Sequence, residues 1–75
     1  MGLCVVQVNI RNWNTNAYVL QADLCNYQPD VILLNSTCTP PDYQFKVRSY
    51  SSISFSDGMH NGAAILVRKH SLLNL

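Results

Sequence analysis

Asp57 and His60 stand three positions apart, a carboxylate and an imidazole of the kind that general acid–base chemistry uses. Their surroundings favour a plainer reading. Asp57-Gly58 and Asn61-Gly62 are dipeptides suited to turns that need positive φ, which makes Asp57 a turn residue and His60 a solvated loop residue. Asp23 and Asp30 are too isolated to build a metal site. Cys4, Cys25 and Cys38 are odd in number, and no pair is spaced Cys-x-x-Cys, which excludes the common zinc and thioredoxin-like patterns. They read as small buried hydrophobes rather than as disulfide partners. Asn9 closes an apolar run, and by itself it reads as a strand-end residue satisfying backbone groups. Asn35-Ser36-Thr37 matches a glycosylation sequon but closes another apolar run, so the match reads as accidental. Trp13, in an asparagine-rich stretch, is either an interface anchor or a lid over the first strand.

The elements that must position these residues follow from periodicity. Residues 3–10 are rich in β-branched side chains and apolar on both faces at the start, which predicts a strand buried on both sides. Residues 11–16 hold three asparagines and predict a loop, with Asn14 or Thr15 capping a helix. Ala17, Leu20, Leu24 and Tyr27 recur at steps of three and four, one apolar stripe along that helix. Pro29 stops it. Residues 31–35 form a second strand, so strand, helix and strand make a βαβ unit. A Pro40-Pro41 loop over 36–42 follows. Phe45, Val47, Tyr50, Ile53 and Phe55 sit in serine-rich sequence and predict one or two short strands. A turn over 56–62 and a strand over 63–68 complete a β-hairpin. Leu72, Leu73 and Leu75 remain apolar where a natural end is usually polar and frayed, so the chain is expected to stop before its fold is finished.

Composition bounds the rest. The chain is 48% hydrophobic and only 12% charged, against about 25% charged in an average protein. That balance argues against disorder and leaves few groups to keep a bare surface soluble. A protein partner or a homo-oligomer is therefore expected. Five Lys/Arg against four Asp/Glu give a net charge of +1. Arg11, Lys46, Arg48, Arg68 and Lys69 are scattered, not gathered in the basic stripe that nucleic-acid binders carry, so nucleic acid is the least favoured partner. The apolar run 31–34 is far too short to span a bilayer, and the start shows neither a secretory signal nor a complete myristoylation site. A soluble, intracellular protein of the cytoplasm or nucleus is expected, in a reducing compartment.

Three stretches, in order, are Gln7-Val8-Asn9, then Pro29 to Thr37 (P-D-V-I-L-L-N-S-T), then Asn61 to Lys69 (N-G-A-A-I-L-V-R-K). Together they resemble the opening of the endonuclease/exonuclease/phosphatase superfamily, and most of all the endonuclease domains of non-LTR retrotransposons. Those domains have a strand ending Gln-Trp-Asn, a strand running from Pro-Asp to Gln-Glu-Thr, and a glycine-rich hairpin entering Val-Ala-Ile-Leu-Val. The likeness covers nearly all of residues 1–75. It implies an α/β fold in which the βαβ unit and the hairpin form half of a two-sheet α/β sandwich.

The resemblance also implies chemistry, and the departures from it remove that chemistry. The family's asparagine, matched by Asn9, helps to place the catalytic metal and the scissile phosphate. Its glutamate ligand for Mg²⁺ falls at Ser36 here, the preceding glutamine at Asn35, the tryptophan beside the asparagine at Val8, and the triple glycine is reduced to Gly62. Mg²⁺ is held through carboxylates, waters and phosphates, and a neutral hydroxyl is a poorer ligand. The family's remaining catalytic Asp, Asn and His residues, and its second sheet, would come after Leu75. Asn9 and Ser36 are thus degenerate family positions. No catalytic residue and no cofactor is expected, the family's Mg²⁺ being lost. The expected function is association by an inactive, truncated, retroelement-derived domain, with Trp13, Phe45, Tyr50 and Phe55 as interface candidates. Two alternatives stand beside it: an N-terminal piece of a Mg²⁺-dependent endonuclease completed from elsewhere, and a nucleic-acid-binding module that does not cleave.

Overall fold

The computed structural model describes residues 2–40, 42–55 and 62–69. It contains β1 (Val5–Asn9), α1 (Trp13–Leu24), β2 (Val31–Asn35), β3 (Tyr50–Phe55) and β4 (Ala63–Arg68). The strands form one mixed sheet in the order β1-β2-β4-β3, a small mixed α/β fold. β1 and β2 are parallel, Val5 opposite Val31 and Asn9 opposite Asn35, because α1 carries the chain back between them. β4 lies antiparallel to both β2 and β3, and its pairing with β3 is the hairpin partnership expected from the sequence. The expected turn over 56–62 falls mostly outside the described residues, as do Asp57 and His60.

Period-2 alternation sorts the sheet into two faces. Val6, Val8, Ile32, Leu34, Ala64 and Leu66 point to the face that α1 covers with Leu20 and Leu24. Segment 43–49 covers the rest of that face. Ser52 Oγ donates to the Phe45 carbonyl at 3.3 Å, and Ser54 Oγ to the Tyr43 carbonyl at 3.5 Å, in place of the extra strand that the alternating apolar residues had left open. Trp13 and Phe45 meet edge to face with centroids 4.8 Å apart, and Tyr43 packs on Phe45 in the same way at 4.9 Å.

The opposite face carries Val5, Val31, Leu33, Ile53, Ile65 and Val67; Val31 is buried, but no further helix or strand lies upon this face among the described residues. Val5 is 48% exposed, Ile53 66% and Ile65 41%. This corrects the expectation that the first strand is covered on both sides. Its apolar residues do lie on both faces, but only one of them is packed.

At the amino end of β2, Asp30 ties three strands. Its Oδ2 accepts from the Cys4 N–H at 2.9 Å, its Oδ1 from Arg68 Nη2 at 2.8 Å, and its backbone carbonyl from the Arg68 N–H at 2.9 Å. Buried Tyr50 donates its hydroxyl to the Pro29 carbonyl beside it, at 2.6 Å.

α1 starts earlier than the sequence predicts. Asn12, not Asn14 or Thr15, is the N-cap, its Oδ1 accepting from the Thr15 N–H at 3.2 Å. Tyr27 lies beyond the helix and is exposed, its hydroxyl 2.6 Å from Cys4 Sγ. The cysteines are thiols and not disulfide halves, but the expectation that they are buried needs correction. Cys25 is exposed at the helix C-cap, and Cys4 and Cys38 are half-buried. Cys25 ends the helix away from the sheet, so helical phase gives it no core position. Among the described residues no helix is long and apolar enough to cross a membrane.

Candidate functional site

In an open α/β sheet, ligands collect where parallel strands end, because the loops that follow diverge there. The parallel register of β1 and β2 puts Asn9 opposite Asn35, with Ser36 one residue further on. Asn9 and Ser36 therefore lie at the same end of neighbouring strands. Asn9 and Asn35 are exposed and Ser36 is half-buried.

The backbone at this end is unusual. Arg11, Ser36 and Cys38 all have positive φ, at 63°, 57° and 56°. Left-handed backbone costs an L-residue roughly 1–2 kcal/mol, so surrounding bonds must hold it. Several such bonds are present. The Ile10 N–H donates to the Asn35 carbonyl at 3.1 Å, the Trp13 N–H to Thr37 at 2.9 Å, and the Thr37 N–H to Gly62 at 3.2 Å. Thr37 and Thr39 share a buried hydroxyl–hydroxyl bond of 3.0 Å, and Asn16 Nδ2 donates to the Ile10 carbonyl at 2.8 Å. The chain leaving β1, the start of α1 and the chain leaving β2 are laced into one block.

Apart from the Arg11 guanidinium, the functional groups on this block are neutral. Gln7 Nε2 donates to Asn35 Oδ1 at 3.0 Å, so these two amides answer one another across the open face. Asn9 contributes an amide and Ser36 a hydroxyl. The ends of β1 and β2 present no carboxylate. Asp23 shares a groove with Asn9 on the α1 side, but among the described residues no group of three or more His, Cys, Asp or Glu stands close enough to hold a metal ion. A hard cation that wants anionic oxygen does not fit this donor set. What the arrangement offers is hydrogen bonding and a rigid backbone.

The titratable cluster sits at the other end of the sheet. The Cys4 N–H and the Arg68 guanidinium hold the Asp30 carboxyl below its ordinary range. The Cys4 contact raises the Tyr27 hydroxyl, and burial raises Tyr50. Each of these groups is tied to a structural partner, and the cluster fixes the strand starts.

Of the interface candidates named from the sequence, Trp13 is 3% exposed, Phe45 6% and Tyr50 5%. Their rings fill the core between α1, segment 43–49 and the sheet, so they hold the fold together from inside. Phe55 ends β3, and its side chain lies outside the described residues. On the strands, the exposed large apolar side chains are instead Val5, Ile53 and Ile65, which alternation could have identified once the packed face was known, and Leu3, Tyr18, Val19 and Tyr27 are exposed outside the strands. Compared with known proteins, the chain matches no family model and no curated protein.

Proposed function

We propose that this chain is a catalytically inactive, retroelement-type endonuclease domain remnant that acts through protein association or self-association. The observation that carries the reading is the apolar sheet face with Val5, Ile53 and Ile65 exposed and Leu33 and Val67 between them. Contiguous apolar patches beyond a few hundred Å² mark interaction surfaces. In the sandwich that the sequence resembles, a second sheet would cover this face. The neutral amides and hydroxyl at the carboxyl ends of β1 and β2 support the proposal that Mg²⁺ binding, and with it phosphodiester cleavage, has been lost. Size-exclusion chromatography with light scattering tests the association. A well-behaved monomer with nothing bound would remove the reading.

The same open face favours one rival, in which a separate chain supplies the second sheet of that sandwich and restores a Mg²⁺-dependent endonuclease. Nicking of supercoiled DNA in Mg²⁺ by the complemented chain, with and without Ser36→Glu, separates the two. Cleavage restored by the glutamate supports the rival, and none in any complemented form dismisses it.

A further inference from the structure

β1 is an edge strand, and the direction of its backbone bonds shows which groups it leaves open. The Cys4 carbonyl accepts from the Asp30 and Val31 N–H groups at 2.8 and 3.1 Å, and the Ile10 N–H donates to Asn35 at 3.1 Å. Even-numbered positions therefore face β2, and alternation turns the N–H and C=O of Val5, Gln7 and Asn9 outward. Natural edges are usually blunted by charge, proline or a bulge. Residues 5–9 (V-V-Q-V-N) contain no charge and no proline, and they pair with β2 in unbroken register.

Beside this edge, between β1 and α1, lies a groove of about 270 Å³, lined by Val8, Ile10, Val19 and Leu20 with Arg11 and Asp23. Among the described residues neither Arg11 nor Asp23 makes an ion pair.

We propose that β1 pairs antiparallel with β1 of a second copy of this chain, about a two-fold axis at Gln7. The proposal rests on the association reading above and names its partner. This register sets Gln7 against Gln7 and Val5 against Asn9, and each such pair exchanges both N–H···O bonds through the outward groups. It also sets Val6 against Val8 on the face that α1 covers, so the apolar layer runs on across the axis. The charges fit as well. α1 begins beside the carboxyl end of β1, where the Trp13 N–H reaches Thr37, and it returns toward the amino end. An antiparallel neighbour therefore brings Arg11 of one copy toward the last turn of α1 in the other, where Asp23 lies, and the two-fold repeats the match. Parallel pairing would lose both the symmetry and the charge match.

The test combines sedimentation equilibrium with amide hydrogen exchange at low and high concentration. The expected result is a dimer in which the Val5, Gln7 and Asn9 amides gain protection with concentration. Gln7→Pro removes the outward N–H, at a position an edge strand tolerates, together with the exposed side-chain bond to Asn35, and weakens the dimer at least about tenfold with the circular dichroism unchanged. Arg11→Asp and Asp23→Arg each weaken it, and the two together restore it. This last comparison decides the matter should Gln7→Pro unfold the chain. A dimer with freely exchanging odd-numbered amides, indifferent to these variants, overturns the β1 pairing and leaves association standing. A monomer at every concentration overturns both.

Discussion

The Asp30 carboxylate is 7% exposed in its side chain, yet it takes a backbone N–H from β1 and a guanidinium from β4. Arg68 Nε is enclosed with no acceptor among the described residues, so the guanidinium depends on that carboxylate for its compensation. Because the folded state holds Asp30 below its ordinary range, its contribution to stability is fully present above the unfolded value of about 3.9 and disappears as pH falls through the lowered folded value. Urea midpoints recorded from neutral pH down into acid should therefore drop in the native chain. In Asp30→Asn the midpoint should be lower at neutral pH, and the gap between the two curves should close in acid. A gap that stays constant with pH would mean that the carboxylate's charge contributes nothing. None of this was legible in the sequence, where Asp30 only opens the second strand. Its partners lie 26 and 38 positions away, beyond any local pattern. Asn9 and Ser36 were legible as strand-end positions, because each follows an apolar run. The positive φ at Ser36 was not, since a serine carries no signal for it.

Among the elements, β1, β2 and β4 could be read directly, being runs of Val, Ile and Leu whose length suits strands and not helices. β3 was harder, because its serines dilute the pattern, and its place at the sheet edge explains why serine is tolerated. The start of α1 was misplaced for a specific reason. Asn12, Asn14 and Asn16 are all chemically able to cap, and local preference does not choose among them. The choice is made by Trp13, which must enter the core against Phe45 and so becomes the first helical residue. Asn16 is then turned back to the Ile10 carbonyl, and Asn12 is left to cap. Asn12→Ala should cost about 1 kcal/mol of unfolding free energy, while Asn14→Ala should cost only a few tenths. Chemical denaturation of the two variants checks the assignment, and equal losses would contradict it.

Viewed whole, the described chain measures 38 × 24 × 17 Å, the proportions of one sheet with a single layer on it. A chain of this length buries only about 60% of what its unfolded form exposes, and here one sheet face contributes little to that total. The stability of the isolated fold thus comes from the α1 side, from Ile32, Leu34, Leu66 and the aromatic cluster, and the open side is dispensable to it. This asymmetry sets a test. Ile53 and Ile65 are cross-strand neighbours on the open face, and threonine at both keeps the β-branched shape while removing much of the apolar surface. The double variant should unfold within about 1 kcal/mol of the native chain, as exposed substitutions do. Its binding of a hydrophobic dye should fall clearly, and so should any association that uses this face. A large loss of stability would show that the two isoleucines are packed in solution, and unchanged dye binding would show that the face is already covered. If dye binding falls while a dimer persists with protected Gln7, the sheet edge and the sheet face are separate surfaces, and the face remains free for a further partner.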